Sequence, residues 1–230
     1  MIQSNYVPWK GYFDIINDVD IFVFYDDVQY TTRDWRNRNM IKPKGTPLWI
    51  TVPVKNESLR TKKIFEVEID NTQKWQLKHM KSITLSYSKA PYLKDYMGFI
   101  EKIYVDSEWT SLVELNRFVI KGICKLLGIT TEFVNLEDLN IDGNKDGERI
   151  IKVCRELNCR FMLNGPSARS FIDQSLFDDA GIEIDYKIYN YPEYRQMGQP
   201  FEHKVSILDL LFNTGKEAPY YIWGWKECLQ

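Results

Sequence analysis

The apolar positions along the chain change period several times, and those changes divide it into elements. Ile2 is a short apolar start that runs into the turn-forming stretch Asn5-Tyr6-Val7-Pro8-Trp9. After Gly11, Tyr12, Phe13, Ile15 and Ile16 recur at helical spacing, and Ile21 to Tyr25 is an unbroken apolar run of strand length closing on Asp26-Asp27. Pro47 to Val54 reads as a strand bracketed by prolines, and Ile64 to Ile69 alternates apolar and charged residues as a half-exposed strand does. Asp70 to Thr72 supply N-cap chemistry for a helix beginning near Gln73 or Trp75. From there to Leu127 the pattern stays helical, with Pro91 separating Trp75–Leu85 from Tyr92–Tyr104. Trp109–Leu127 is the most periodic piece, and Gly128 closes it.

Beyond Gly128 the periods alternate again. Thr131 to Val134 predicts a strand, Glu148 to Leu157 an amphipathic helix, Arg160 to Leu163 a short buried strand and Ile182 to Tyr189 another strand. Ser206 to Phe212 predicts a short helix ending near Gly215. Helix and strand patterns that alternate in this way predict an α/β fold built on a mostly parallel sheet. Residues 1–230 are expected to form a single α/β domain, with residues 73–128 as a helical insertion or subdomain within it.

Composition narrows the function classes. Thirty basic against 32 acidic residues leave a net charge of −2, which supports neither a nucleic-acid footprint nor a membrane-surface role. The aromatic share of 14% is high enough to furnish stacking surfaces as well as core. Cys124, Cys154, Cys159 and Cys228 form no CxxC pair, and His79 and His203 are the only histidines, so no metal-ligand spacing arises and buried, reduced thiols are expected. No signal-peptide pattern opens the chain, and no apolar run nears the roughly 20 residues of a membrane span. A cytoplasmic protein without membrane insertion is the expectation.

The candidate chemistry gathers after the strands, at the edge where open α/β sheets bind ligands. Asp26 and Asp27 are paired carboxylates at a strand end, able to bind a metal, a ribose or an ammonium or to act as base; the plainer alternative is a turn cap and an arginine partner. Around Gly11, Asn5, Tyr6, Trp9 and Tyr12 are candidate ligand contacts, since glycine permits close approach and the helix start attracts anions. Arg33, Arg36 and Arg38 suit phosphate, while Trp35 and Asn37 suit a ring and an amide or sugar hydroxyl. Gly165, Pro166, Ser167 and Arg169 form a second candidate anion cradle. His79 is either a core-edge histidine or a reserve general base. Tyr186, Tyr189, Tyr191 and Tyr194 are rim stacking surfaces or strand packing, and Ser206 is a helix cap or a contact.

Two resemblances add to this reading. The placement of Pro8-Trp9-Lys10-Gly11-Tyr12 resembles the nucleotide-binding loop of HUP-type nucleotidylyltransferases, where a proline precedes His-x-Gly-His; here Trp9 and Tyr12 replace both histidines. Along nearly the whole chain, Gln3 to Phe13, Tyr25 to Tyr30, Trp35 to Arg38, Trp49 to Val54, Trp75 with Lys78-His79, the segment around Gly165 and Ser206 to Gly215 resemble the WbqC-like family. Two features depart from it: the N-terminal strand is clipped, and Lys145-Asp146-Gly147-Glu148-Arg149 lacks a small hydroxyl residue after the lysine. The resemblance implies bacterial surface-polysaccharide (O-antigen) biosynthesis. It further implies an enzyme that forms an amide between an amino acid, such as glycine, and the amine of a nucleotide-linked dideoxy-amino sugar.

In that picture ATP and Mg²⁺ are the candidate cofactors. Arg33, Arg36 and Arg38 hold phosphates, Asp26 or Asp27 orients an amine or Mg²⁺, Asn37 reads the acceptor, and His79 is the reserve base. The rival readings are an acyltransferase using an external activated donor and a non-catalytic sugar-nucleotide-binding or scaffold protein. A homodimer is compatible with each.

Overall fold

The computed structural model of the chain describes residues 1–141 and 146–225. Gly143, Lys145 and Cys228 lie outside the described residues. Three pairs of strands form. β1 (Ile21–Phe24) and β4 (Glu132–Asn135) run parallel, with Phe22 opposite Phe133. β5 (Phe161–Asn164) and β6 (Glu183–Tyr186) are also parallel. β2 (Arg38–Ile41) and β3 (Leu48–Thr51) are antiparallel. Ile2 adds a parallel bridge to β1, donating to the Val23 carbonyl at 3.1 Å and accepting from Tyr25 at 3.0 Å.

The fold is therefore α/β, but with short sheets of mixed direction where one mostly parallel sheet was expected. Two local readings account for the difference. Arg38 to Ile41, treated as part of a ligand loop, pairs with the proline-bracketed strand. Ile64 to Ile69 is not a continuous strand: Ile64–Glu66 is a 3-10 turn, and isolated bridges follow at Glu68 and Ile69. The Glu66 carboxylate accepts from the Lys63 amide at 2.7 Å, which closes the turn and buries Ile64 and Val67 three residues apart.

Apart from α6, which the sequence pattern did not predict, the helices follow the expected periods. α1 spans Lys10–Asn17, α2 Trp75–Ser86, α3 Leu93–Tyr104, α4 Leu112–Leu127, α5 Asp146–Glu156, α6 Gln174–Asp179 and α7 Ile207–Thr214. Ser111 Oγ accepts from Glu114 at the start of α4, and Gly128 at φ 76° ends it in the left-handed conformation. Ser206 is a helix cap, its Oγ accepting from the Leu208 amide at 3.3 Å. Every residue of α7 is buried. Trp75, Ile83, Ile100, Leu115 and Val119 of α2–α4 share one buried cluster with Phe13, Phe22 and Phe24 of α1 and β1. Segment 73–128 thus packs directly onto the first helix and strand.

Just past β1, Asp26 is completely buried. It accepts from the Ser4 amide at 2.7 Å and from Arg117 of α4 through Nε at 3.0 Å and Nη2 at 2.8 Å. Burial pushes its pKa up, opposed by the Ser4 amide and the Arg117 guanidinium. Arg117 also holds the more exposed Glu137 at 2.6 Å. Removing one member of a buried pair leaves an uncompensated charge. Asp26→Ala is therefore expected to cost about 3 kcal/mol in urea unfolding, against less than about 1 kcal/mol for Glu137→Ala. Equal losses would show that the pair does not anchor the fold.

Candidate functional site

A cavity of about 1050 Å³ opens at the carboxyl ends of the Ile2 bridge, β1 and β5. Asn5, Tyr12, Asp27, Arg149, Asn164 and Gly165 line it, with Gln3 and Ser167 at its edge. A smaller chamber of about 590 Å³ adjoins it, sharing Asn5, Trp9 and Tyr189. Pro8, Trp35, Asn39, Asn190, Tyr191, His203 and Lys204 complete the smaller lining. The edge-on pair Trp9–Tyr189, with ring centroids 4.9 Å apart, borders both spaces. The expected location at the strand ends is thus occupied by the larger cavity, with the smaller chamber beside it.

In the larger one, Asp27 lies between two cations, ion-paired with Lys63 and with Arg149. Partial burial alone pushes its pKa up, but hydrogen bonds from Lys63 and Arg149 bring it below the usual carboxylate range. Asp27 is accordingly a poor base; it holds Arg149 in the wall. Arg149 also donates to the Asp27 carbonyl at 3.0 Å and to the Ile141 carbonyl at 3.2 Å. The charged side chains of the lining among the described residues are Asp27, Asp173 and Arg149, and Lys63 pairs with Asp27 from outside it. Asn164, at the end of β5, is 9% exposed and its Nδ2 has no partner among the described residues. A buried donor left unpaired costs about 1–3 kcal/mol, so an acceptor in the cavity would be favoured.

Several expected site residues have other work. Asp26 is sealed in the pair with Arg117. His79 is buried 73 residues away from Tyr6 in sequence, yet its Nδ1 lies 2.8 Å from the Tyr6 hydroxyl and its Nε2 lies 3.1 Å from the Thr51 carbonyl. The carbonyl can only accept, so Nε2 carries the proton and Nδ1 accepts from Tyr6, whose oxygen in turn accepts from Tyr104 at 2.5 Å. This closed relay gives His79 no free nitrogen to act as base and places Tyr6 in the core. Burial depresses the His79 pKa to about 4.

Gly11 is required by a neighbouring ring: a Cβ there would stand 2.3 Å from the Trp9 indole. That indole covers the α1 N-terminus, so the anion role expected of the Gly11 loop is not available in this arrangement. Tyr12 does reach the larger cavity, its hydroxyl donating to the Gln3 carbonyl at 3.0 Å.

None of the three arginines lines either cavity, although Arg38 donates to the Arg33 carbonyl and Arg36 lies 3.6 Å from Asp34. Arg33 is exposed at φ 58°. Arg38 stacks on Trp49, 4.3 Å from the ring centroid. Arg36 donates to Gln3 Oε1 at 2.8 Å and to Asn5 Oδ1, placing two amides in the cavity wall without lining it. Asn37 is buried, donates to the Val52 carbonyl at 2.8 Å and lines neither cavity. Gly165 and Ser167 line the large cavity; Pro166 and Arg169 do not, and Arg169 lies over Tyr186.

Arg149, Asn164, Gln3, His203 and Lys204 were not singled out from the sequence as ligand contacts, since each sits in an unremarkable local context. Lys10 carried a faint signal, a lysine in the apolar start of a helix. It is buried, 4.8 Å from the Tyr191 ring and 5.2 Å from Tyr194, and desolvation lowers its pKa to about 8. Among the described residues no group of three or more His, Cys, Asp or Glu could hold a metal ion.

Fold and site together define an α/β protein with a two-chambered, small-molecule-sized cleft at the carboxyl edge of its parallel strands. The chain belongs to the WbqC-like protein family, whose model matches residues 3–221. It is similar to the uncharacterized protein Rv1507c of Mycobacterium tuberculosis, with 43% identity over 223 residues covering 96% of each chain. No solved structure matches it. Among the described residues, no helix is long and apolar enough to cross a membrane.

Two predictions follow from these contacts. On the expectation from the sequence that the cleft takes a nucleotide, Arg36→Ala should weaken that binding about tenfold, through the loss of held Gln3 and Asn5, while the exposed Arg60→Ala should leave it unchanged, both read by calorimetry. Equal effects would remove Arg36 from the site. His79 stays neutral in the fold down to about pH 4 and in the unfolded chain only down to about 6.5. The unfolded state therefore binds the extra proton between those values, and the stability His79 contributes above pH 6.5 is lost as pH falls towards 4. His79→Gln should flatten that part of the stability curve; an unchanged slope would contradict the buried neutral imidazole.

Proposed function

We propose that the chain is an amino-sugar-modifying enzyme of surface-polysaccharide (O-antigen) biosynthesis, acting in the cytoplasm. It joins an amino acid such as glycine, through an amide, to the amine of a nucleotide-linked dideoxy-amino sugar. The observation that carries this reading is the larger cavity, where Arg149 and the unpartnered Asn164 Nδ2 face one space suited to a diphosphate. Membership of the WbqC-like family supports it. A HUP-like origin of the first unit belongs to the same reading: Ile2, the Asn5–Trp9 loop, α1 and the parallel β1 follow that order.

Amide formation from a carboxylate needs prior activation, since the ionised acid resists attack by an amine. ATP with Mg²⁺ is one route. The residues present fit it poorly. Both Asp27 oxygens are engaged by Lys63 and Arg149, Asp173 caps α6, and the Trp9 indole covers the α1 N-terminus. No step is therefore assigned to a metal or to ATP. In the second route the acyl group arrives already activated as a thioester or ester. The sugar amine attacks the acyl carbon, the C–N bond forms, and the thiol or hydroxyl leaves with the amine's proton.

The test incubates the protein with UDP-, dTDP- and GDP-linked 4-amino-4,6-dideoxyhexoses and either glycine plus ATP or a glycyl thioester. Mass spectrometry should find a sugar nucleotide heavier by one glycyl group with the thioester. Product only with ATP would restore the ligase route. Tight sugar-nucleotide binding without product under either condition would make this a binding protein, and neither binding nor product would end the reading.

A further inference from the structure

The smaller chamber has a chemistry of its own. Trp9, Tyr189 and Tyr191 form one aromatic wall, with Trp9 5.9 Å from Tyr191 between ring centroids. Trp35 stands in the lining as well and is 38% exposed. Trp49, outside the lining, packs on Trp35 at 5.3 Å, and Arg38 lies over Trp49. The exposed Trp35 indole thus rests on Trp49, which in turn carries the Arg38 guanidinium.

The amides of Asn5 and Asn39 belong to the same lining, but they are not equally free. Asn39 spends its Nδ2 on the Tyr6 and Val7 carbonyls at 3.1 and 2.9 Å. Asn5 accepts from Arg36, which leaves its own amide N–H groups available, and it borders both chambers.

From these observations we infer that the smaller chamber is a hexopyranose subsite, with Trp35 as the stacking platform and Asn5 as a donor to a ring hydroxyl. The inference rests on the reading above and adds the position of the sugar: the diphosphate lies in the larger cavity and the ring passes Asn5 and Trp9 into the smaller one. Aromatic faces flanked by amides suit the C–H face and hydroxyl edge of a pyranose. Lys204 is the one charged group among the described residues of the lining, which holds no carboxylate, and burial lowers the His203 pKa towards the neutral imidazole; Asn190 joins the lining, and Glu193 and Glu202 lie near His203 outside it.

Two measurements on the full chain test this. Calorimetry compares UDP-, dTDP- and GDP-linked 4-amino-4,6-dideoxyhexoses with the matching nucleoside diphosphates. Trp35→Ala should weaken the sugar nucleotide that binds by about tenfold, leave its nucleoside diphosphate unchanged, and be largely rescued in Trp35→Phe. Saturation-transfer NMR with the free methyl 4-amino-4,6-dideoxyglucoside should show contact to the ring protons in the native chain and none in Trp35→Ala. Melting curves check that the variants are folded.

Equal weakening of sugar nucleotide and nucleoside diphosphate would assign the chamber to a base and overturn the proposal. Sugar-nucleotide binding indifferent to Trp35, with no transfer to the free ring, would also overturn it while leaving the functional reading intact. Transfer to the free ring that is lost in Trp35→Ala, with no gain from an attached nucleotide, would uphold the sugar subsite and overturn the nucleotide part of the reading.

Discussion

Asp26 brings a charge into a part of the molecule without water, and the fold around the cleft depends on how that charge is balanced. Arg117 reaches it from α4 and the Ser4 amide caps it from the first loop, so one carboxylate ties together β1, α4 and the N-terminal segment. The residue before Arg117 extends the same anchor. Asn116 donates to the Arg36 carbonyl at 2.8 Å. Arg36 then orders Gln3 and Asn5 in the wall of the larger cavity. A buried electrostatic contact several residues removed from any ligand thereby positions the polar groups that would meet one.

A second restraint acts on the neighbouring turn. Val7 has φ 38°, a left-handed conformation that a β-branched residue rarely adopts and that costs on the order of 1–3 kcal/mol. It persists because the flanking groups leave it little choice. Tyr6 is locked into the Tyr104–Tyr6–His79–Thr51 relay, and Asn39 clamps the Tyr6 and Val7 carbonyls. Pro8 and Trp9, immediately after the strained residue, enter the smaller chamber. Histidine and tyrosine that looked like chemistry in the sequence thus supply rigidity, and that rigidity fixes the aromatic wall.

Much of the architecture was readable from local pattern. The helical periods of α1 to α5 and α7, the apolar run of β1, the glycine after α4 and the Ser206 cap all depend on neighbours a few residues apart. The sheet was less readable. Whether Arg38 to Ile41 forms a strand depends on its partner at Leu48 to Thr51, and the alternation of Ile64 to Ile69 lost to a turn closed by Glu66. The location of the cleft after the strands was also legible, because Asp27 and Gly165 do meet in one cavity. The identity of most of its working groups was not.

Asp26 and Asp27 show where the boundary lies. The chain alone determined that two carboxylates end a buried strand, as it determined the helices, the core positions and the aromatic surplus, because those follow from spacing and side-chain type. Only the tertiary structure decided that Asp26 faces Arg117 in the core while Asp27 faces Lys63 and Arg149 at the cavity. It likewise decided that His79 is sealed while His203 lines a chamber. Burial and charge pairing are set by residues that arrive from distant segments, and nothing in the spacing along a chain encodes which of two like side chains will find its partner in water and which in the interior.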